Sequence, residues 1–152
     1  MGVINITPDS FSDGGRFLDM PRAVEEAHRQ LKLGADVLDL GAQSTRPGAQ
    51  EVGAEEECRR LLPALKAIRS RCPEALISVD TFWAPVASAA LAAGANWVND
   101  VSGGRRDPAL LQVVAQANCP VVLMHSRGDS QSMDRLTDYK NVTTDVLSGL
   151  QQ

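Results

Sequence analysis

Three observations predict an α/β fold built on a parallel sheet. Five short runs rich in Val, Ile and Leu recur along the 152 residues, and each is too short for a helix. Segments with helical periodicity separate them, so strands and helices alternate, which favours parallel pairing with right-handed crossovers. Turns from helix to strand are brief, whereas loops from strand to helix are long. The predicted strands cover residues 2–6, 37–40, 76–79, 97–98 and 121–124.

Five helices are predicted from apolar residues spaced three or four apart and from residues that start or stop helices. Gly34 stops the first helix, and residues 55–57 give the second an acidic first turn that complements the helix dipole. Pro63 lies inside the second pattern and should kink or break it. Asp107 and Pro108 are suited to the N-cap and first position of the fourth helix, and the fifth runs to the end of the chain. The apolar faces are Val24, Ala27 and Leu31; Cys58, Leu61, Leu62, Leu65 and Ile68; Val86, Ala90 and Leu91; Leu110, Leu111 and Val114; and Val142, Val146 and Leu150.

The spacing of the units favours a (β/α)8 barrel, or TIM barrel. Barrels of roughly 250 residues use roughly 30 residues per unit, which is also the spacing here. A doubly wound sheet is the alternative, although its phosphate-binding GxGxxG motif is absent from the sequence. In both folds, long loops at the carboxyl ends of the strands form the active face. Residues 1–152 are expected to form a single domain.

The composition argues against several classes of function. The formal charge is −4 and the pI is near 5.1, which does not suit non-specific binding to nucleic acid. No apolar stretch is long enough to cross a membrane, and no signal peptide precedes Gly2. Cys58, Cys72 and Cys119 are odd in number and lack paired spacing, which is typical of a reducing compartment. We therefore expect a cytoplasmic, soluble protein that binds neither nucleic acid nor a membrane.

Polar side chains stand at or beside the end of every predicted strand. They are Asn5, Asp39, Asp80, Asn99 and His125. Each could instead cap a helix or brace its own loop, and Asp39 is the weakest candidate. Carboxyl ends of parallel strands lie at one edge of the sheet, and buried polar groups without partners cost free energy. Five in register therefore predict a common polar pocket.

A second signal is the loop GAQSTRPGAQ, which places Ser44 and Thr45 beside Arg46. Two hydroxyls and a guanidinium suit a phosphate or a carboxylate, and Pro47 shapes the turn, although such a loop could also be an ordinary surface turn. The segments SVDTFW and VNDVSGG place a hydrogen-bonding residue at a strand end near an aromatic residue or glycine. That arrangement suits a flat heterocycle. No Ser-His-Asp triad, nucleotide loop or zinc ligand set is visible.

Taken together, these segments resemble the dihydropteroate synthases of folate biosynthesis. The similar motifs are MGVINITPDSFSDGG, LDLGAQSTRPGA, SVDT, VNDVSGG and VVLMHSRG, in the order and spacing of that family. The resemblance implies a TIM-barrel transferase that joins p-aminobenzoate to 6-hydroxymethyl-7,8-dihydropterin pyrophosphate. The products would be 7,8-dihydropteroate and pyrophosphate, and sulfonamides bind the p-aminobenzoate site in this family.

The resemblance also implies roles for individual residues, none of them assigned as catalytic. Asn5 would ligate Mg²⁺, the expected cofactor, or hold the pyrophosphate. Asp80 and Asn99 would hydrogen-bond the pterin ring, with Asp39 in a supporting position behind them. The other substrate-binding candidates are Thr45 and Arg46 for the pyrophosphate side, Ser44 and Pro47 for p-aminobenzoate, and Met124 and His125 for the floor and rim of the pocket. The polar loop at residues 7–20 resembles the family's mobile first loop, which closes over the site.

The chain departs from the family pattern in two respects. Ala42-Gln43 stand where the family commonly has Gly-Glu. The family continues through further strands that carry an Asp, a Lys and an Arg-x-His motif, which these residues lack. We therefore expect a partial, N-terminal barrel domain of about five of the eight units, inactive alone, whose full-length form is a homodimer. A pterin-binding corrinoid methyltransferase and a non-catalytic fragment are the alternatives.

Overall fold

One parallel sheet organises the computed structural model, which describes residues 1–7, 19–43, 52–128 and 132–151. Its strands are β1 (Gly2–Asn5), β2 (Val37–Gly41), β3 (Leu76–Asp80), β4 (Trp97–Asp100) and β5 (Val121–Leu123). The spatial order is β1-β2-β3-β4-β5, so each strand is added beside its predecessor on the same side. A doubly wound sheet reverses direction partway, as in the order 3-2-1-4-5, whereas a barrel does not. The observed order confirms the first five units of a TIM barrel.

The helices alternate with the strands as the apolar periodicity predicts. They are α1 (Asp19–Lys32), α2 (Ala54–Arg71), α3 (Ala84–Ala92), α4 (Ala109–Ala117) and α5 (Val142–Leu150), and a 3₁₀ turn covers Met133–Arg135. Helix α4 begins one residue later than predicted. Asp107 still caps it, because Oδ1 accepts from the Ala109 amide at 3.1 Å, while Oδ2 accepts from the Ala84 amide of α3 at 2.8 Å. Among the described residues, no helix has the length and apolar character needed to cross a membrane.

The hydrophobic core lies between the sheet and helices α1 to α4. Successive strand residues point to opposite faces, so Ile4 is 1% exposed while its neighbour Val3 is 55% exposed. Across the ladder, Ile4 pairs with Leu40, Leu40 with Val79, and Val79 with Val98. All four are buried. This face is therefore covered by helices, and the opposite face carries the polar residues described below.

Helix α2 runs without interruption through Pro63, so the predicted break does not occur. A proline inside a helix removes one backbone donor and crowds the preceding turn. Here Leu61, Leu65 and Ile68 are fully buried on the same helix, whereas Pro63 is exposed. Burial of each such side chain contributes about 1.5–3 kcal/mol, which is enough to offset the loss at Pro63.

Helix α5 forms where it is predicted, but it differs from its prediction in one way. It ends at Leu150, and Gln151 is its C-cap residue. Its predicted apolar face is not buried against the described residues, since Val142 is 57% and Leu150 is 37% exposed. Its start is well defined, because Asn141 Oδ1 accepts from the Thr144 amide at 3.0 Å.

Arg69 of α2 ties together the loops at the amino ends of β3 and β4. Its guanidinium donates to the carbonyls of Pro73 and Ala75 at 2.8 Å and to that of Gly94 at 2.7 Å. It also donates to Asn96 Oδ1 at 2.7 Å. Gly94 has a φ of +103°, and a Cβ there would lie 3.3 Å from Arg69, so glycine serves both the backbone conformation and the close approach.

Replacing Arg69 by alanine is expected to lower the free energy of unfolding by about 2–4 kcal/mol, because several backbone carbonyls lose a charged donor. Arg59→Ala is the matched control, since Arg59 lies on the same helix and pairs with Glu56 at the surface. Such surface pairs contribute little to stability. Urea unfolding followed by circular dichroism measures both variants, and equal destabilisation would contradict this role of Arg69.

Candidate functional site

Four of the five predicted strand-end residues lie on the face of the sheet opposite helices α1 to α4. Asn5 pairs with Gly41, Gly41 with Asp80, and Asp80 with Asn99, and these four residues form what we call the polar row. One step toward the amino ends, a lower row contains Val3, Asp39, Ser78 and Trp97. Residues paired across a ladder share a face, and so do residues two apart on one strand. The Asp39 side chain therefore lies on the same face as the polar row, nearer the amino ends of the strands. The predicted convergence of Asn5, Asp39, Asp80 and Asn99 at one edge is therefore observed.

Gly41 leaves room between two oxygen-bearing side chains of the polar row. A Cβ at this position would lie 3.5 Å from Asp80 Oδ2 and 3.8 Å from Asn5 Oδ1. Those are ordinary contact distances, so any larger side chain would occupy the space above the row. The glycine therefore keeps the Asn5 and Asp80 oxygens accessible from the same side.

A direct hydrogen bond joins the two rows. Asn99 Nδ2 donates to Asp39 Oδ2 at 3.0 Å, although the two residues lie on strands separated by β3. Asp39 is only 5% exposed. Its second oxygen, Oδ1, is buried without a hydrogen-bond partner among the described residues, as is the hydroxyl of neighbouring Ser78. Of the two, the carboxylate oxygen carries the larger cost of burial, because a charged group loses more hydration than a hydroxyl does.

Burial raises the pKa of the Asp80 carboxyl to about 7. Removal of water from the carboxylate is the largest cause, and the charges of Asp39, Glu57 and Asp100 raise the pKa further. Near neutral pH, Asp80 is therefore present in both protonation states. It can accept a hydrogen bond when ionised and donate one when protonated.

The loop that carries Ser44, Thr45, Arg46 and Pro47 lies outside the described residues, as do residues 8–18. Its two ends are described and are held together. Gln43 Oε1 accepts from the Val52 amide at 3.2 Å, and the Val52 carbonyl accepts from Trp83 Nε1 at 3.3 Å. Gln43 lacks the charge of the glutamate that the family commonly has, but its amide oxygen still acts as an acceptor.

A family model described as pterin binding enzyme matches residues 1–152. The chain belongs to the pterin-binding enzyme family. Its relatives include the dihydropteroate synthase of Synechocystis sp., 49% identical over 91% of this chain and 48% of the relative. That of Clostridium beijerinckii is 43% identical over 100% of this chain and 54% of the relative. The mitochondrial folate synthesis bifunctional protein of Pisum sativum is 48% identical over 99% of this chain and 30% of the relative.

Solved structures of dihydropteroate synthases superpose closely on this chain. The Clostridium difficile enzyme in the presence of pteroic acid has a TM-score of 0.90 at 38% identity, over 99% of this chain and 55% of that one. The Yersinia pestis enzyme with a sulfonamide drug has a TM-score of 0.88 at 39% identity, over 99% and 54%. The Xanthomonas albilineans enzyme with 4-aminobenzoic acid has a TM-score of 0.83 at 42% identity, over 97% and 51%. The chain therefore spans about half the length of its bacterial relatives.

Asp100 is a structural residue of this candidate site that sequence reasoning missed. It is fully buried, and its carboxylate accepts from the Ser102 amide at 2.7 Å and from the Gly104 amide at 2.6 Å. Gly103 has a φ of +63°, and a Cβ there would lie 2.8 Å from the Met124 carbonyl oxygen. The motif Asp-Val-Ser-Gly-Gly was the available signal, since aspartate often accepts from amides two residues on. Asp100 thus shapes the loop that follows Asn99.

Two predicted site residues, Met124 and His125, follow β5 and do not take part in the Asn99–Asp39 hydrogen bond. The Met124 amide donates to the Asp100 carbonyl at 3.0 Å, and its side chain is 43% exposed. The His125 ring contacts Tyr139, with Nε2 3.3 Å from the hydroxyl, and it lies close to Gly149 of α5. Four of the five strand-end residues therefore share one edge of the sheet as predicted, whereas His125 is held by the elements that follow β5.

The raised pKa of Asp80 predicts a pH-dependent stability. Between about pH 4, where an unfolded Asp titrates, and about pH 7, the folded state binds the extra proton, so stability falls as the pH rises. The slope from this group reaches up to about 1.4 kcal/mol per pH unit. Asp80→Asn should remove that part of the slope and stabilise the chain most above pH 7. Urea unfolding at pH 5 and pH 8 measures it, and identical slopes for the two proteins would contradict the prediction.

Proposed function

We propose that this chain supplies the pterin-binding half of a dihydropteroate synthase. The observation that supports this most is the polar row, held on a TIM-barrel sheet whose relatives are dihydropteroate synthases. Related structures contain pteroic acid, 4-aminobenzoic acid or a sulfonamide, which are ligands of one chemical series. The proposed substrates are 6-hydroxymethyl-7,8-dihydropterin pyrophosphate and p-aminobenzoate.

In this reaction the amine nitrogen of p-aminobenzoate forms a bond to the methylene carbon of the pterin substrate. The bond from that carbon to the pyrophosphate oxygen breaks, pyrophosphate leaves with the bonding electron pair, and the amine loses a proton. Asp80 and Asn99 hold the heterocycle through hydrogen bonds, so the reacting carbon is presented in one orientation. The protonatable carboxyl of Asp80 matches a ring that carries both donors and acceptors.

The remaining site assignments rest on the family motif. Thr45 and Arg46 are proposed for the pyrophosphate side, where a guanidinium can bind phosphate oxygens in a bidentate manner. Ser44 and Pro47 are proposed to frame the p-aminobenzoate site. Met124 is proposed for the floor of the pocket and His125 for its rim.

We also propose Mg²⁺ as the cofactor and Asn5 as its ligand. The Asn5 amide oxygen is the kind of hard donor that Mg²⁺ prefers, and Gly41 beside it leaves that oxygen accessible. A single protein oxygen fits Mg²⁺, which commonly takes its other ligands from water and substrate phosphates. When bound, the ion neutralises charge on the leaving pyrophosphate.

The cellular setting is proposed from composition and family. We propose a cytoplasmic protein, because the free cysteines suit a reducing compartment. The pea relative is named as mitochondrial, so fractionation of cells from the source organism distinguishes the two locations. A homodimer is proposed for the full-length form, and its mass by light scattering tests that state.

A chimera gives a direct test of the reaction. This chain would replace the matching part of the Clostridium beijerinckii relative, and 7,8-dihydropteroate formation would be assayed with both substrates. Turnover is expected, and Asp80→Ala or Asn99→Ala should lower kcat/KM by about 10- to 100-fold, since each loss of a buried partner costs about 1–3 kcal/mol. Glu74→Ala, at an exposed position before β3, is the control. A cooperatively folded chimera without turnover would contradict the proposed function.

The same chimera tests Asn5. Asn5→Ala should raise the Mg²⁺ concentration that gives half the maximal rate by about tenfold, because one oxygen ligand is lost. Asn5→Asp retains an oxygen at that place and should stay near the unsubstituted value. A magnesium titration of the rate measures both variants. An unchanged magnesium requirement in Asn5→Ala would rule out Asn5 as the ligand.

A further inference from the structure

Asn99 can present two different patterns to a ligand. Its amide has an acceptor, Oδ1, and a donor group, Nδ2, which exchange places when the amide rotates by half a turn. A free asparagine at a pocket would therefore read either a donor or an acceptor on a bound ring. A site that selects one heterocycle needs the amide held in one orientation.

Asp39 holds it. A carboxylate accepts hydrogen bonds and does not donate them, so the 3.0 Å contact between Asn99 Nδ2 and Asp39 Oδ2 allows one orientation only. Rotation of the amide would place Oδ1 against the carboxylate oxygen, where two acceptors repel. Asp39 is 5% exposed, so water does not readily replace it as the partner of Asn99.

The position of Asp39 is difficult to explain by stability alone. It makes this hydrogen bond across the width of β3, while its other oxygen is buried without a partner among the described residues. Its charge also contributes to the raised pKa of Asp80. A buried, incompletely satisfied carboxylate costs free energy, and such local costs are typical of functional sites.

We propose that Asp39 is a positioning residue that fixes Asn99 Oδ1 as an acceptor for an N–H group of the bound heterocycle. This inference rests on the proposed function and specifies what that site selects. The ligand class is a nitrogen heterocycle with an N–H donor on the edge that faces β4. Asp39 touches Asn99 and acts on the ligand through it.

The test compares three variants with the unsubstituted sequence, all in the chimera described above. Asp39→Asn retains the shape but allows either orientation of the facing amide. Ser78→Ala is the matched control, because Ser78 is buried, polar and adjacent to Asp39 in the lower row. The reciprocal exchange, Asp39→Asn with Asn99→Asp, restores a hydrogen bond between the two positions but places the carboxylate on β4.

Two readouts separate orientation from ligand binding. The side-chain amide signals of Asn99 in nitrogen-15 NMR report the hydrogen bond without any ligand, and Asp39→Asn should shift them and speed their exchange with water. Affinity for pteroic acid, measured by ligand-observed NMR, should fall about tenfold in Asp39→Asn, which corresponds to one hydrogen bond of about 1.4 kcal/mol. In Asp39→Asn, the affinity for 4-aminobenzoate should stay within about twofold of the unsubstituted value. In Ser78→Ala, the Asn99 amide signals should be unchanged, and the affinity for pteroic acid should stay within about twofold.

The reciprocal exchange distinguishes positioning from a purely structural role. It should recover thermal stability without recovering the affinity for pteroic acid. Full recovery of that affinity would overturn the proposal, as would unchanged Asn99 signals or unchanged pteroic acid binding in Asp39→Asn. If the unsubstituted chimera binds neither compound, the proposed function fails, while the Asn99 signals still decide whether Asp39 orients the amide.

Discussion

The register of the five parallel strands is the constraint on which the site depends. Residues paired across the ladder share a face, so the burial of Ile4, Leu40, Val79 and Val98 under the helices places Asp80 and its row on the other side. A slip of one residue in β2, β3 or β4 would turn Asp39, Ser78 or Asn99 toward the core. Burial of the apolar side chains on one face of the sheet therefore places the side chains of the polar row on the opposite face.

The two ends of the sheet serve different purposes. At the amino ends, Arg69 satisfies backbone carbonyls of the loops around β3 and β4, which stabilises the connections between units. At the carboxyl ends, Asp100 accepts from the amides of its own loop and thereby shapes the chain beside Asn99. This division is typical of barrels, in which stability is concentrated at the bottom of the strands and chemistry at the top.

The carboxyl end tolerates a crowding of like charges that an ordinary core would not. Burial raises the pKa of Asp80 most, and the charges of Asp39, Glu57 and Asp100 raise it further. Such a cluster reduces stability when the carboxyls are ionised. The continuous core beneath α1 to α4 offsets that cost, which allows groups with unusual proton affinity to be kept at a fixed place.

Apolar periodicity in the sequence by itself determined the α/β class, the five units and the edge at which the polar strand-end residues lie, because that information is local. Only the tertiary structure decided between a barrel and a doubly wound sheet, since both share the same alternation and differ in strand order. It also decided which side chains meet. Asn99 bonds Asp39, 60 residues away, whereas His125 turns to Tyr139. Helix α2 continues through Pro63 because buried neighbours outweigh a local preference. These outcomes depend on contacts through space, which spacing along the chain does not encode.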